Sequence, residues 1–446
     1  MLTAAARVEV GNTIQARLSE ARQRTDELFR IVRSEALYDR PIAERHRVVF
    51  YLGHLEAFDG NLLGDRLFAL GPVHPVFDRL FAFGIDPVDG GLPSDKPSDW
   101  PSLAEIGGYV SRIRENIDAG IEAVFRSGAP SGGAEGFPAD LLLNVAIEHR
   151  LMHAETLAYM LHQMPLDRKV PAPPTVHRLV PQVESSMIEI PSGAATLGLA
   201  RRDAGTFGWD NEYEEHRVSV PAFMVDEHKV TNRQFLEFLN AGGYENRALW
   251  SDADWAWKTG QHITHPAFWR KSGANWLQLA MFSEVPFPLD WPVYVSHAEA
   301  SAYSRWRGKF LPTEAQWHRA AYAASDDDKR PYPWGSDAPS SRHGNFDFRS
   351  WDPVAVGSFP GNRSAFGVSD LVGNGWEWTS SRFEAFPGFT PFGFYPGYSA
   401  NFFDGQHYVM KGGSARTAAC MLRRSFRNWF QPHYQYVYAG FRCAGN

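Results

Sequence analysis

Leu141–Gln163, LLLNVAIEHRLMHAETLAYMLHQ, is the stretch on which the reading of this chain turns. It holds no Gly or Pro and is built from strong helix formers, which predicts one long helix. His149 and His153 stand four residues apart, so both imidazoles leave the same side of that helix, one turn apart. Leu142, Val145, Met152 and Met160 share their side, and Leu143, Ala146, Ile147, Leu151 and Ala154 make the other side apolar too. A helix apolar all round is expected between other elements. A dry i, i+4 His pair is either a hydrogen-bonded core pair or two-thirds of a metal site. A third candidate, His54, lies in RVVFYLGHLEAFDGNLLGDRL, with Tyr51 and Phe58 on its side of a second helical pattern. Three neutral histidines with open positions suit iron, zinc or copper.

Working outward, residues 12–34 read as an amphipathic helix, 42–70 as a second, Ser102–Phe125 as a third, and the opening stretch as the fourth. Ser102 is placed as N-cap with Glu105 closing a capping box. Four helices predict a helix bundle over residues 1–165, with metal ligands on facing helices. Residues 166–183 are Pro-rich and aperiodic, which predicts a linker. From 184 to 446 the texture changes to Trp, Gly, Phe and short strand-like runs. Helical patterns there shrink to Asn232–Asn240 and to His297–Arg307 followed by Thr313–Ala324. That predicts a loop-rich α+β domain held by aromatic packing.

The chain has 446 residues, enough for two or three domains with sizeable cores. A net charge of −7 without a basic block argues against nucleic acid and anionic membranes as partners. Two cysteines, Cys420 and Cys443, are too few for a disulfide framework and fit a reducing cytoplasm, as inert core thiols. Neither an h-region nor a long apolar run points to a leader or a membrane span.

Over Met187–Cys443 the chain resembles the formylglycine-generating-enzyme-like (sulfatase-modifying-factor) fold. The segments that carry the resemblance are MIEIPSGAATLG, DNEYEEHRVSVPAFMVDEHKVTNRQFLEFLNAGGY, WPVYVSHAEASAYSRWRGKFLPTEAQWHRAA, YPWG, SAFGVSDLVGNGWEWTSS and MKGGS…FRNWF…GFRCA. It implies an irregular, C-type-lectin-like α+β domain. Thr313 is expected to cap a helix. GNGWEW is expected to form a tight turn that drops Trp376 and Trp378 into the core. Formylglycine formation in that family needs a closely spaced cysteine pair, and no cysteine lies between Cys420 and Cys443.

The first 165 residues resemble a DinB-like four-helix bundle. That bundle, with a His and then HxxxHxE (His54; His149, His153, Glu155), joined to this second fold, resembles the sulfoxide synthases of ergothioneine biosynthesis. The resemblance implies a non-haem Fe(II) on His54, His149 and His153, O2 as co-substrate, and coupling of the imidazole of hercynine to a chalcogen donor. Glu155 is implied as a structural or outer-shell residue. Asn428, Trp429, Phe430 and Arg427 are implied at the substrate, with Arg423 and Arg424 as further anion-binding candidates. Aromatic faces suit a quaternary ammonium. Tyr398, with Tyr395 as alternative, lies where the family places a proton donor.

Members that take γ-glutamylcysteine carry arginines after the second helix, where this chain has GGLPSDKPS (Gly90–Ser98), and the second subgroup carries tyrosines where it has PVDGG (Pro87–Gly91). The first departure brings the chain closer to the second subgroup and to the selenoneine synthases, and the second shifts the reading to a selenoneine synthase with a selenosugar donor. A sulfoxide synthase using cysteine or γ-glutamylcysteine is the alternative, and a non-catalytic binding module is the alternative of another class. A structural calcium ion is a further possibility raised by the Gly-rich second domain.

Overall fold

The computed structural model describes residues 4–83, 92–127, 137–172, 182–184, 186–202, 206–323 and 330–446. The chain divides into two compact units, Met1–Ala172 and Pro173–Asn446.

The first unit is helical. Its elements are α1 (Ala4–Arg30), α2 (Val48–Asp59), α3 (Pro75–Phe83), α4 (Leu103–Ser127) and α5 (Ala139–Gln163). α1 packs on α4 and α5, and α2 packs on α3, α4 and α5. α5 is buried along nearly its whole length, as its two apolar sides require. Ser102 caps α4, with the backbone N–H groups of Ser102 and Glu105 each bonded to the other's side chain.

Two features differ from the sequence-based expectation. The second helix begins only at Val48, and after Asp59 it runs into a single π turn, Gly60–Gly64. α3 lies in a stretch without a predicted helix. Pro75 supplies a helix-compatible φ at its start, and Asp78 accepts from the His74 N–H at 3.2 Å. Nine residues are too few for a 3.6-residue period to stand out.

The interior of the bundle is not wholly apolar. The fully buried Arg150 on α5 pairs with Glu56 (2.8 Å) and Asp59 (2.7 Å) on α2, and Arg114 on α4 joins Glu56 at 2.7 Å. The start of the expected linker belongs to this unit. Val170 N–H donates to Ile31 C=O, and the buried Lys169 ammonium donates to the carbonyls of Leu161 and His162. Residues 173–181 of that linker lie outside the described residues, as do Pro87–Gly91.

Among its described residues the second unit has four small sheets. Their strands are β1 (Met187–Ile190), β2 (Gly193–Leu197), β3 (His216–Val220), β4 (Phe223–Asp226), β5 (Trp269–Ser272), β6 (Asn275–Leu279), β7 (Glu284–Pro286), β8 (Trp376–Arg382), β9 (Tyr408–Lys411), β10 (Asn428–Phe430), β11 (Ala439–Gly440) and β12 (Ala444–Gly445). The sheet orders are β1-β4-β12, β10-β9-β8-β11, β2-β3 and β5-β6-β7. Only the β8–β11 pairing is parallel among these strands.

Among the described residues, four α-helices accompany the sheets: α6 (Asn232–Asn240), α7 (Asp252–Gly260), α8 (His297–Trp306) and α9 (Glu314–Tyr322). Thr313 caps α9 through a Thr–Gln capping box, as expected. α7 has no counterpart in the expectation, because nine residues reading DADWAWKTG show too little periodicity.

GNGWEW makes the expected turn, with positive φ at Gly373, Asn374 and Gly375. Trp378 is fully buried and its indole N–H donates to Val295 C=O at 2.9 Å. Between the two tryptophans, buried Glu377 accepts from Arg442, Lys229 and Trp317. The Lys229 ammonium also donates to the carbonyls of Asp370 and Gly373, so a fixed positive charge of the chain itself fills the inside of this turn. Cys443 is a core thiol, pushed up to about 12 by burial and by the Asp226 carboxylate. Cys420 departs from expectation: it lies at the surface, on the short turn Ala419–Met421.

Candidate metal centre

His54, His149 and His153 meet inside the first unit, with one nitrogen from each lying within 4.8 Å of the others. α5 supplies two of them from one face, and α2 brings the third across the bundle. Nε2 of His54 and Nε2 of His153 are 3.2 Å apart. Two nitrogens each about 2.1 Å from one ion, at an angle near 100°, would be separated by about that distance. Among the described residues this is the one group of three or more His, Cys, Asp or Glu side chains so arranged.

Each ring is braced by an aromatic side chain of α2. Phe58 stacks on His149 (3.5 Å between centroids), Phe50 on His54 (4.7 Å), and Tyr51 lies 5.7 Å from His153. The His54 Nδ1–H donates to the Phe81 carbonyl on α3 at 2.6 Å, which fixes the tautomer and leaves Nε2 with its lone pair toward the cluster. Nδ1 of His153 is buried without a hydrogen-bond partner.

Burial, first of all, drives the imidazoles neutral. His54 falls to about 4, against the opposing pull of the Phe81 carbonyl. His149 and His153 fall well below the ordinary range, helped by their imidazole neighbours and by the positive charge of Arg150. Neutral imidazole is the ligand form, so the donor set fits a borderline divalent metal such as Fe(II), Zn(II) or Cu(II).

The Phe81 carbonyl and Gly53 were not legible as parts of this site. Gly53 sits inside α2 next to His54, and a Cβ there would lie 2.4 Å from the Phe81 ring. Its missing side chain lets α3 approach closely enough for the Phe81–His54 hydrogen bond. The one available signal was a glycine in mid-helix beside a candidate ligand. Gly53→Ala is therefore expected to gain helix propensity yet weaken metal affinity by about tenfold or more, the usual range for losing an outer-shell bond. Titration of the apo variant with Fe(II) under anaerobic conditions measures it, and unchanged affinity would contradict the role given to α3.

Arg40 and Arg47 both pair with buried Asp95, in the described part of the Gly90–Ser98 segment, and the Trp100 indole N–H donates to it at 2.7 Å. Burial alone would raise this carboxyl, but the bonds from Trp100 and Arg47 and the charge of Arg40 bring it below the usual range. Both arginines are thus tied to one carboxylate of the protein. Trp100 in turn packs edge-on against Phe50, which stacks on His54.

The other expected residues lie in the second unit. Trp429 on β10 stacks on Phe383 (4.1 Å, 7°), with Tyr398 at 5.5 Å and Phe402 at 5.6 Å. Asn428 accepts from the Trp429 N–H through its own side chain at 2.9 Å, and Phe430 stacks on Tyr434. Tyr398 is buried, stacked on Trp209 at 3.9 Å between centroids. Arg427, expected on the substrate, is committed to the protein itself. It grips Glu314 with two bonds (3.0 and 3.1 Å), donates to Glu384 C=O, and lies over Phe383 and Phe386. Among the described residues it reaches the Trp429 cluster through Phe383. Arg423 pairs with Glu212, and Arg424 with Glu215 at 2.9 Å, which accounts for both structurally.

Comparison with known proteins adds the following. Residues 175–446 match the family of sulfatase-modifying factor enzyme 1-like domains. A hercynine oxygenase of Mycobacterium tuberculosis is 38% identical over 53% of this chain and 55% of its own length. A hercynine oxygenase of Mycolicibacterium smegmatis is 36% identical over 67% of this chain and 70% of its own. Ergothioneine biosynthesis protein 1 of Neurospora crassa is 28% identical over 92% of this chain and 55% of its own. The chain spans about half the length of the tuberculosis and Neurospora relatives.

Proposed function

This chain belongs to the sulfatase-modifying factor enzyme 1-like family and is related within it to the hercynine oxygenases; on that premise we propose that it is a non-haem Fe(II)- and O2-dependent enzyme that couples hercynine to a chalcogen donor. The observation that carries this reading is the converging set of three neutral, buried histidines. A bound Fe(II) would supply O2 activation and coordination positions for the two substrates. The chain's own part is to hold three imidazole lone pairs in place, to keep them unprotonated by burial, and to exclude bulk water with the ring collar of Phe50, Tyr51 and Phe58.

In the second unit the faces and edges around Trp429 suit a quaternary ammonium, which has no hydrogen-bond donors. Trp429→Ala is expected to raise KM for hercynine about tenfold, the equivalent of one desolvated cation–π contact. KM for the chalcogen donor would stay within about twofold, and equal losses for both substrates would count against the assignment.

For the donor we propose a selenosugar, and a C–Se bond at the imidazole. Support comes from Arg40 and Arg47 both being tied to Asp95, because a γ-glutamyl dipeptide needs guanidinium groups that are open to its carboxylates. Cysteine or γ-glutamylcysteine, with a C–S product, is the competing reading, favoured by the pathway in the relatives' names. The deciding experiment supplies Fe(II), O2 and hercynine with a selenosugar, cysteine and γ-glutamylcysteine, separately and together, with products read by mass spectrometry. A dominant selenium adduct supports the first reading and a sulfoxide the second. No coupling with any donor would overturn the proposed chemistry.

A further inference from the structure

The π turn that follows α2, the start of α3 and one side of α4 border a cavity of about 250 Å3. That is just under the roughly 300–1,000 Å3 of sites for drug-sized ligands, so it suits a smaller metabolite. Much of the lining is apolar. Ile113 and Ile117 of α4 are buried, and Leu70 and Val73 join them from the connection between α2 and α3. Backbone supplies another part. Gly64 is buried, yet a Cβ built on it would meet nothing nearer than Leu70 at 3.9 Å, so open space lies directly against the π turn. Turns of this kind are rare and recur at functional sites.

The polar groups of the lining fall into two kinds. Asp78 is engaged by the protein: it accepts from the Tyr109 hydroxyl at 2.8 Å and from the His74 N–H at 3.2 Å, and Asn61 donates to its carbonyl at 3.3 Å. Asp65 and Arg79 are exposed at the same cavity, and among the described residues neither makes a hydrogen bond or an ion pair, with the other or with any third group. Burial first, then the charge of Asp78, raises the Asp65 carboxyl against the pull of Arg66, so a cation brought alongside would favour its ionised form. A carboxylate and a guanidinium that share a cavity without reaching each other match a ligand that carries both signs. The walls select the kind of cation. A primary ammonium has three N–H donors to satisfy, and the oxygens of Asp78 are already taken. A quaternary ammonium has no donors, and its methyl groups gain by leaving water for apolar walls. A ligand carboxylate suits the planar donor fork of Arg79.

We propose that this cavity binds a small betaine, with Asp65 opposite its quaternary ammonium and Arg79 opposite its carboxylate. The cavity belongs to the first unit, whereas the Trp429 cluster belongs to the second. Hercynine is of this chemical class, but the inference stands on the cavity and does not rest on the coupling reaction.

The test is calorimetric titration of the full-length, Fe(II)-loaded protein under argon with glycine betaine, which has no imidazole and so reads the cavity apart from any coupling chemistry. Glycine, with a primary ammonium, and tert-butylacetic acid, with carbon in place of the quaternary nitrogen, are the comparison ligands, and both should bind more weakly. Asp65→Asn and Arg79→Gln should each weaken glycine betaine about fivefold, the upper end for an exposed ion pair. Gly64→Leu puts a side chain into the open space beside the π turn and should abolish binding, while Trp429→Ala should leave it in place. A thermal melt shows which variants are folded; Asp65 and Arg79 are exposed, so their substitutions need no repacking. The inference is overturned when the wild type binds no glycine betaine, when either comparison ligand binds as tightly, when a folded Asp65, Arg79 or Gly64 variant binds like the wild type, or when Trp429→Ala removes the binding.

Discussion

Replacing His153 by Ala is expected to abolish metal loading and turnover while leaving the bundle folded. Two imidazoles would remain, which lowers affinity by more than about a hundredfold, since even outer-shell losses cost 10–100-fold. The fold should survive because α5 keeps its buried apolar sides, and because Arg150 still ties it to α2 by ion pairs. His153 contributes ring contacts to Tyr51, His54 and His149 but makes no backbone tie, so truncation removes little beyond its own packing. Metal content by mass spectrometry of the anaerobically loaded protein, beside a thermal melt, measures both halves. A variant with one equivalent of iron and full activity would sink the assignment of His153 as a ligand. His54→Ala has the same expected outcome by a different route, because it also releases the Phe81 carbonyl from its donor.

How much of this was legible in the sequence depended on the range of the signal. The α5 pattern is long and apolar on both sides, so its burial and the direction of His149 and His153 followed from helical geometry. That His54 would meet them required only that the two helices face each other in a bundle. α3 was not legible, because its nine residues show no sustained period, and with it the Phe81 carbonyl was hidden. A backbone carbonyl carries no residue-type signature at all. Arg427 shows a partner that the sequence did not reveal. A resemblance placed it with Asn428 and Trp429, yet it precedes β10 and is drawn to a carboxylate far away in the chain, a pairing no local pattern carries. Arg427 turns inward to Glu314, while Trp429 lies with Phe383 and Tyr398. Cys420 was read as core because free cysteines are usually buried, and the short turn that exposes it gave no pattern.

Arg150→Met is expected to destabilise the first unit strongly, by about 3–5 kcal/mol, because it leaves buried carboxylates without their cation. Methionine preserves much of the volume, so the cost is electrostatic rather than a cavity. Glu56 keeps one partner, Arg114, whereas Arg150 is the only cation within salt-bridge distance of Asp59 among the described residues. The pH dependence identifies the cause. In the wild type, burial raises the Asp59 carboxyl, and the charge of Arg150 opposes that rise; the same charge, with Arg114, brings Glu56 below its ordinary value despite burial. Removing Arg150 takes away that opposing charge, so both carboxyls move up. A group whose folded pKa exceeds its unfolded one stabilises the fold below the unfolded pKa and loses that contribution as pH rises through the folded value. The variant should therefore regain part of its lost stability as pH is lowered toward the acid range where these carboxyls become neutral. The wild-type Glu56 runs the other way: its lowered pKa adds stability above the ordinary carboxylate range that disappears on acidification. Thermal melts of both proteins between neutral and mildly acidic pH should converge as pH falls. Parallel curves would mean that the lost stability came from packing, and that the ion pairs behind the histidines do not hold α2 against α5. Because His54 and His149 each lie within two residues of this network on their helices, iron affinity should fall with the same substitution and recover least at neutral pH.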